Sequence, residues 1–392
     1  EVALAALSRP GVKGVVLMNH GLVTWASTPR VSYDTHIELV TQAEEYLHNR
    51  SQGRVVFGGV RFTALEQDER RRVAAAVAPT LRSLLGPQGG RRSLLRFDDC
   101  DEILTFVNSK KALALAEAGA ATPDHLLSTR QRPLMVEVGN PSYVGDLRRA
   151  LEQGVEGYRR AYGDWFRAHA DGSAEMRDAA PRVVLVPGLG MWISGPDAGS
   201  LSVVSDIYHH TVSIMAGASA VDEYTSLSAK DAYDAEYWPL ELYKMTLLPA
   251  ERELSRRVAL VTGAARGIGK AIARRLAAEG AHVALSDIDR DGVEQAAEEI
   301  NVEVGVGRCL AVVLDVTSPE QVADAFRETV LAFGGVDILV SNAGIAPTGP
   351  LDQLSLSDWQ RSLDVNATGH LLVAQEAVRI LREQGLGGSL DR

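Results

Sequence analysis

Residues 262–269 read TGAARGIG and set glycines at 263, 267 and 269 between the apolar pentad VALVT and a run of apolar residues at helical spacing. Gly263 allows a sharp turn as the chain leaves a strand. Gly267 and Gly269 let backbone and helix come close to a bound group, with Arg266 and Ile268 completing the loop. A helix starting there aims free N–H groups and the positive end of its dipole at an anion, and a pyrophosphate suits that geometry. Asp287 ends the next apolar run, 18 residues beyond Gly269. A carboxylate at that place accepts hydrogen bonds from ribose hydroxyls and repels a 2′-phosphate, which favours NAD over NADP. The alternative is a tight strand-to-helix turn with no ligand. Strand, glycine spacing, helix and carboxylate occurring together favour the nucleotide.

A second group that could do chemistry is the imidazole of His20, in Asn19-His20-Gly21 after the apolar run VKGVVLM. A histidine at the end of a strand is either a metal ligand or a side chain satisfied by its neighbours. His36, His48, His125, His169, His209 and His210 stand in no ligand spacing with it and read as helix, surface or core positions. Cys100 and Cys309 are far apart and in no metal or redox spacing. PGLGMWISG at 187–195 could cradle a phosphate, yet it reads as a tight turn and is assigned no site.

The elements that must position these residues can be read from periodicity. Residues 12–18 form a strand, and GLVTW continues it past a turn. Residues 31–47 are helical, with Tyr33, Ile37, Val40, Ala43 and Leu47 on one face. Another helix runs from about 66 to 85. A strand fragment and helix follow in 97–119, two strand signals lie in RQRPLMVEV and PRVVLVPGLGMW, and residues 200–250 read as helical. The charged stretch 249–257 is the expected boundary, which divides the chain into 1–250 and 255–392. Beyond it, strands VALVT, HVALS, CLAVVLD and VDILVS alternate with helices. One of those helices has Ser318 as cap, Pro319 at its first position and Gln321 to complete a capping box. Continuous apolar strands between helices imply a parallel sheet covered on both faces. The fold class is therefore α/β, with a Rossmann-type doubly wound sheet in the C-terminal part.

Composition narrows the classes. The 392 residues, 46% apolar and 23% charged, suit two or three soluble domains. A net charge of -11 without a basic stripe argues against a nucleic-acid or anionic-membrane partner. The Arg clusters at 70–72 and 91–92 read as solvated helix and loop positions. No apolar run approaches the ~18 residues that span a bilayer. Two cysteines cannot carry a fold by disulfides, so a reducing cytoplasm is expected. The chain begins at Glu1 with no secretory pattern and is expected to be an internal portion of a longer protein.

The spacing Gly-x-x-x-Gly-x-Gly, with SNAG at 341–344 and DVNATG at 364–369, resembles the short-chain dehydrogenase/reductase family over residues 258–392. The resemblance implies that Asp315 and Val316 contact the adenine of NAD. It implies that Asn342, Ala343 and Gly344 shape the cofactor pocket, and that Asn366 helps hold a proton-relay water. Ser341 departs from the second Asn common there. Family members also use a Ser, and a Tyr four residues before a Lys, to move the proton. No Tyr of this chain has that Lys, and Ser389 reads as a terminal loop serine. This half is therefore expected to bind NAD without the catalytic acid.

The stretch MNHGLVTWASTPRVSYDTHIELVTQAEEY resembles the C-terminal part of class II aldolases of the fuculose/rhamnulose phosphate kind. There Zn²⁺ is held by a His-x-His and by the histidine of Asn-His-Gly, which His20 matches, and it polarises a ketose carbonyl. The His-x-His and an upstream carboxylate would lie before Glu1. The order of the two halves, with TPDHLLSTRQRPL, PRVVLVPGLGMW and DAEYWPLELYKM between them, resembles bifunctional rhamnulose-1-phosphate aldolase/alcohol dehydrogenases of bacterial sugar catabolism. The resemblance implies a sugar phosphate and an aldehyde or alcohol as substrates, NAD and Zn²⁺ as cofactors, and a homo-oligomer. Two other readings stay open: a sugar-phosphate or polyol dehydrogenase with a degenerate N-terminal half, and a non-catalytic NAD-binding scaffold.

Overall fold

The computed structural model describes residues 8–86, 92–172, 174–247 and 249–385, and within them the strands form three sheets. None of the helices among these residues is long and apolar enough to cross a membrane. The first sheet is a hairpin of β1 (Gly14–Leu17) and β2 (Gly21–Thr24), antiparallel with Leu17 opposite Gly21. Asn19 takes a φ of 53°, and His20 donates its backbone N–H to the Leu17 carbonyl at 3.1 Å. The apolar run 12–18 predicts a strand that packs into a core just before His20. Instead Val16 and Met18 are 75% and 85% exposed, and among the described residues no further strand pairs with the hairpin. The helix Pro29–Ser51 that follows has the expected periodicity, yet it contains no buried residue.

The second sheet contains β3 (Leu94–Asp98), β4 (Leu134–Met135), β5 (Val183–Val186) and β6 (Gly190–Gly195) in the order β3-β6-β5-β4. Alternation along the strands sends Leu94, Val183, Leu185 and Ile193 to one core and Leu95, Val184, Val186 and Trp192 to the other. The helix Ala198–Val221 covers the first face through Leu201, Val204, Tyr208, Val212 and Met215. The helices Gln67–Leu84 and Val144–His169 cover the second. PGLG forms the β5–β6 turn. A side chain at Gly190, where φ is 140°, would place its Cβ 2.5 Å from the Asp98 carbonyl oxygen.

The third sheet is parallel throughout: β7 (Val258–Thr262), β8 (His282–Asp287), β9 (Cys309–Val313) and β10 (Ile338–Val340) in the order β10-β7-β8-β9. The helices Gly267–Ala278 and Arg290–Val304 pack on one face. The helices Pro319–Phe333 and His370–Glu383 pack on the other, giving the doubly wound α/β arrangement. Ser318 caps its helix by accepting the Gln321 N–H at 3.3 Å. Gln321 does not close the expected capping box, because its Oε1 accepts the N–H of Asp315 at 2.9 Å.

The two larger sheets share a boundary that is buried. Val258 and Phe333 join one core of the second sheet, and Leu331 joins the other. At its centre Arg82 is 1% exposed. Its Nη2 meets Asp337 Oδ2 at 2.6 Å and its Nη1 meets Oδ1 at 3.2 Å. The remaining donors reach the carbonyls of Ser93 and Arg256 and the side-chain oxygen of Gln384. Arg92 adds a second cation to Asp337 at 3.2 Å. This corrects the reading of the arginine clusters. Arg92 is mostly buried in an ion pair, and so is Arg70, which holds Asp99 at 3.1 Å. Arg71 and Arg72 are exposed as expected, and Arg91 lies outside the described residues.

Removing Arg82 leaves the buried Asp337 carboxylate with the single contact from Arg92, short of the compensation that a buried charge requires. Arg82→Leu is therefore expected to lower unfolding stability by about 3–5 kcal/mol, read as a shift of the urea midpoint. A shift no larger than that of an exposed control such as Arg71→Leu would remove this interaction from its central place.

Candidate functional site

The glycine loop lies where β7 passes into the helix Gly267–Ala278. Gly263 has a φ of 66°, and a Cβ there would lie 2.9 Å from Ala343 Cα. At Gly269 a Cβ would fall 2.1 Å from the Gly263 carbonyl oxygen, so glycine is required for the helix to start against the strand. Gly267 differs. Its φ is 61° and a Cβ would meet nothing within 4 Å, so the first turn opens on space instead of protein. Arg266 is the N-cap residue but makes no side-chain cap hydrogen bond, and Arg266, Gly267 and Ile268 are exposed. Packed glycines behind and an open face in front give a cradle of the kind that receives a pyrophosphate on helix N–H groups.

Asp287 stands at the end of β8 beside this loop. Its Oδ2 accepts the Ala265 N–H at 3.0 Å and its Oδ1 accepts the Asp289 N–H at 3.1 Å. The carboxylate thus pins the glycine loop to the sheet. Each oxygen keeps a lone pair that can accept a hydroxyl.

The other sequence-selected residues gather around the same strand ends. Asn342 donates Nδ2 hydrogens to the carbonyls of Thr262 and Gly263 at 2.9 and 3.1 Å. Thr262 Oγ1 in turn accepts the backbone N–H groups of Asn342 and Ala343 at 2.9 and 3.0 Å. Thr262 was not singled out from sequence. Its signal is a polar β-branched residue closing an otherwise apolar strand directly before the turn glycine. Asp315 is held by Thr317, whose N–H and hydroxyl both reach its Oδ1. Val316 is buried, and the lack of a side chain at Gly369 accommodates it, since a Cβ there would lie 2.8 Å from Val316 Cγ2.

Asn366 lies in the π-helical turn Asp364–Gly369. Its amide clasps the Ile345 backbone, donating to the carbonyl at 2.7 Å and accepting the N–H at 3.0 Å. A further bond to Ser362 at 3.1 Å uses the other amide hydrogen. One oxygen lone pair is left for a water or other donor. Gly344 sits against that oxygen, where a Cβ would come within 3.1 Å. Ser341 bonds to His370 instead of facing the loop.

His20 is exposed at the tip of the β1–β2 hairpin and belongs to no group of metal-ligating side chains among the described residues. His36 is within 3.4 Å of Thr24 Oγ1, and His125 bonds to Thr211 in the interior at 2.9 Å. The residues present do not by themselves make a zinc site at His20.

Two family models match the chain: aldolase class II, second domain, over residues 72–245, and short chain dehydrogenase over residues 257–389. The uncharacterized oxidoreductase YuxG of Bacillus subtilis (strain 168) is 40% identical over 391 residues, 99% of this chain and 56% of that protein. D-threitol dehydrogenase of Mycolicibacterium smegmatis is 41% identical over 138 residues, 35% of this chain and 52% of that protein. The structure of a 3-ketoacyl-(acyl-carrier-protein) reductase from Brucella melitensis complexed with NADH is 35% identical. It covers 34% of this chain and 52% of its own, with a TM-score of 0.32. The chain thus spans about half the length of the curated relatives it matches.

The glycine geometry separates two variants. Gly267→Ala is expected to fold, with only the cost of a left-handed alanine, about 1–2 kcal/mol. Gly269→Ala drives a methyl into the Gly263 carbonyl and is expected to cost clearly more. Thermal unfolding of the two proteins side by side measures this, and equal losses would contradict the packing described.

Proposed function

The chain joins an aldolase class II second domain to a short-chain dehydrogenase domain, and on that premise we propose that it serves a bifunctional enzyme with lyase and NAD-dependent oxidoreductase activities. The division of labour falls at 1–250 and 255–392. One observation carries the dehydrogenase side of this reading. The strand ends of a doubly wound sheet carry an open glycine cradle, and the Asp287 carboxylate is fixed beside it.

In this proposal Gly263, Arg266, Gly267, Ile268 and Gly269 receive the pyrophosphate of NAD. Asp287 accepts the adenosine ribose hydroxyls, and Asp315 and Val316 border the adenine. Asn342, Ala343 and Gly344 form the wall toward the nicotinamide, which supplies hydride chemistry when bound. Asn366 holds its loop at Ile345 and offers its remaining lone pair to a relay water. The family's Ser, and its Tyr paired with Lys, are not placed among the described residues, and Ser389 lies outside them. Proton transfer to the substrate oxygen is therefore not assigned to any side chain here.

On the lyase side, the proposed substrate is a deoxyketose 1-phosphate such as rhamnulose 1-phosphate, which yields dihydroxyacetone phosphate and lactaldehyde. The lactaldehyde is the proposed substrate of the dehydrogenase. His20 is the proposed third zinc ligand, joined by a His-x-His of the longer protein, and no step is derived through that metal from this chain. A cytoplasmic homo-oligomer acting on small molecules completes the reading.

Calorimetric titration tests the nucleotide assignment. NAD is expected to bind more tightly than NADP, and Asp287→Ala to weaken NAD about 10–100-fold, the loss of hydrogen bonds to a charged acceptor. Equal affinity of the wild type for the two nucleotides would sink the role given to Asp287. The lyase assignment is tested on the full-length protein. Cleavage of rhamnulose 1-phosphate should disappear in His20→Ala while NAD-dependent turnover of lactaldehyde persists. A full-length protein that leaves the sugar phosphate intact would refute the lyase reading and leave the nucleotide reading standing.

A further inference from the structure

Away from the glycine loop, four side chains with metal-ligating or proton-binding atoms converge at the end of β3. Asp98 is its last residue, Cys100 follows in the next loop, and Glu102 lies in the first turn of the helix Asp101–Val107. His209 comes from the middle of the helix Ala198–Val221, 111 positions from Asp98. One ligand atom each of Asp98, Cys100 and His209 lie within 4.8 Å of one another. The His209 Nε2 is 2.8 Å from Asp98 Oδ2, and its Nδ1 is 2.5 Å from Glu102 Oε2.

We propose that Asp98, Cys100 and His209 form a site for a divalent transition metal, zinc by its donor set, with Glu102 as the carboxylate that orients His209.

The donor types select the ion. An imidazole nitrogen, a thiolate and a carboxylate oxygen suit zinc, whereas magnesium and calcium take oxygen ligands almost exclusively. The second carboxylate is the more specific observation. A metal-bound histidine commonly donates its other ring N–H to a carboxylate, which fixes the tautomer and turns the free lone pair toward the ion. Glu102 is placed to do this at Nδ1, which leaves Nε2 on the side of Asp98 and Cys100.

The frame holding these groups is firm. Asp98 sits opposite Met191 in the β3–β6 ladder, and Tyr208, next to His209, is buried in the core. The groups are also reachable from solvent, since Cys100 is exposed and the His209 side chain is 27% exposed. Arg96 and Asp206 stand nearby, so the surrounding fixed charges are of both signs.

Binding has a defined proton balance. Each ring nitrogen of His209 faces a carboxylate oxygen at hydrogen-bond distance, Nε2 toward Asp98 and Nδ1 toward Glu102. A metal takes the place of any proton held at Nε2 and at the Cys100 sulfur, those protons pass to solvent, and no electron is transferred. Three protein ligands leave a fourth position for water or a small ligand. This site is separate from His20 and does not rest on the lyase reading.

The test uses the chain in a His20→Ala background, so that the other candidate imidazole cannot contribute. Equilibrium dialysis against Zn²⁺ followed by elemental analysis should give one zinc per chain. Glu102→Gln should weaken binding about 10–100-fold, the usual effect of losing such a carboxylate. His209→Ala should abolish it. With Co²⁺ in place of zinc, a thiolate-to-cobalt charge-transfer band should appear and be absent in Cys100→Ser, an exposed change that leaves the fold intact by circular dichroism. The proposal is overturned if the unsubstituted cluster takes up no zinc. It is equally overturned if Cys100→Ser and His209→Ala bind zinc like their parent, and His209 is then a structural imidazolium clamped between two carboxylates.

Discussion

The bidentate pair between Arg82 and Asp337 is the interaction on which the arrangement of the two halves turns. Both charges are almost fully removed from water, which is tolerable only because nearly every donor and acceptor finds a partner. Asp337 does more than neutralise Arg82. Its Oδ2 also accepts the Val258 N–H at 2.8 Å, where β7 begins, and Asp337 itself leads into β10. The carboxylate that docks the halves therefore also helps set the register between β10 and β7. β7 ends at Thr262, and Asn342 follows two residues after β10; hydrogen bonds between these two residues shape the glycine turn. Domain docking and the glycine turn share one edge of one sheet.

The same boundary contains a histidine that must stay neutral. His282, buried at the start of β8, accepts the Ala198 N–H on Nε2 at 3.0 Å. Burial, aided by the nearby Arg308, pushes its pKa down to about 3. A protonated ring could not accept that hydrogen bond. The interface thus combines one fully paired charge with one group kept uncharged, both consistent with a region that excludes water. A comparable solution occurs within the first half. Arg130, at a φ of 73°, meets Glu236 at 2.5 Å, and Tyr162 bonds to the same carboxylate at 2.7 Å. Arg130 of RQRPL and Glu236 of DAEYW, far apart in sequence, meet in that buried contact.

How much of this could be read beforehand depended on whether the controlling contacts are local. The Rossmann-type half was legible because its strands are buried on both faces and read as continuous apolar runs. Its turn glycines are also dictated by atoms within one strand–loop–helix unit. The position of Asp287, at the end of β8 beside the glycine loop, was legible for the same reason. Errors arose where a distant partner decides. Arg70 and Arg92 look solvated in a basic cluster, but Asp99 and Asp337 reach them from other elements. Gln321 has the capping-box spacing, but Asp315 competes for its oxygen. The strand before His20 is apolar enough for a core, yet among the described residues it pairs only within a two-stranded hairpin. Asp98, Cys100 and His209 could not be grouped at all, since only the seating of the helix Ala198–Val221 on β3 and β6 brings them together.

The helix Pro319–Phe333 shows why the two halves form a fixed pair instead of beads on a linker. Val322, Ala325 and Phe326 face the parallel sheet, while Leu331 and Phe333 enter the cores of the neighbouring sheet. Gly334 then ends the helix with a φ of 87°, and a Cβ there would lie 2.7 Å from the Leu95 side chain. One helix thus belongs to two cores, and its stop signal is fitted to a residue of the other half. Domains joined only by a flexible segment usually retain relative motion, because few contacts cross between them. Here apolar packing, a buried ion pair and a close glycine contact all cross the boundary. The halves are thus joined by packing and by charge as well as by the chain that links them.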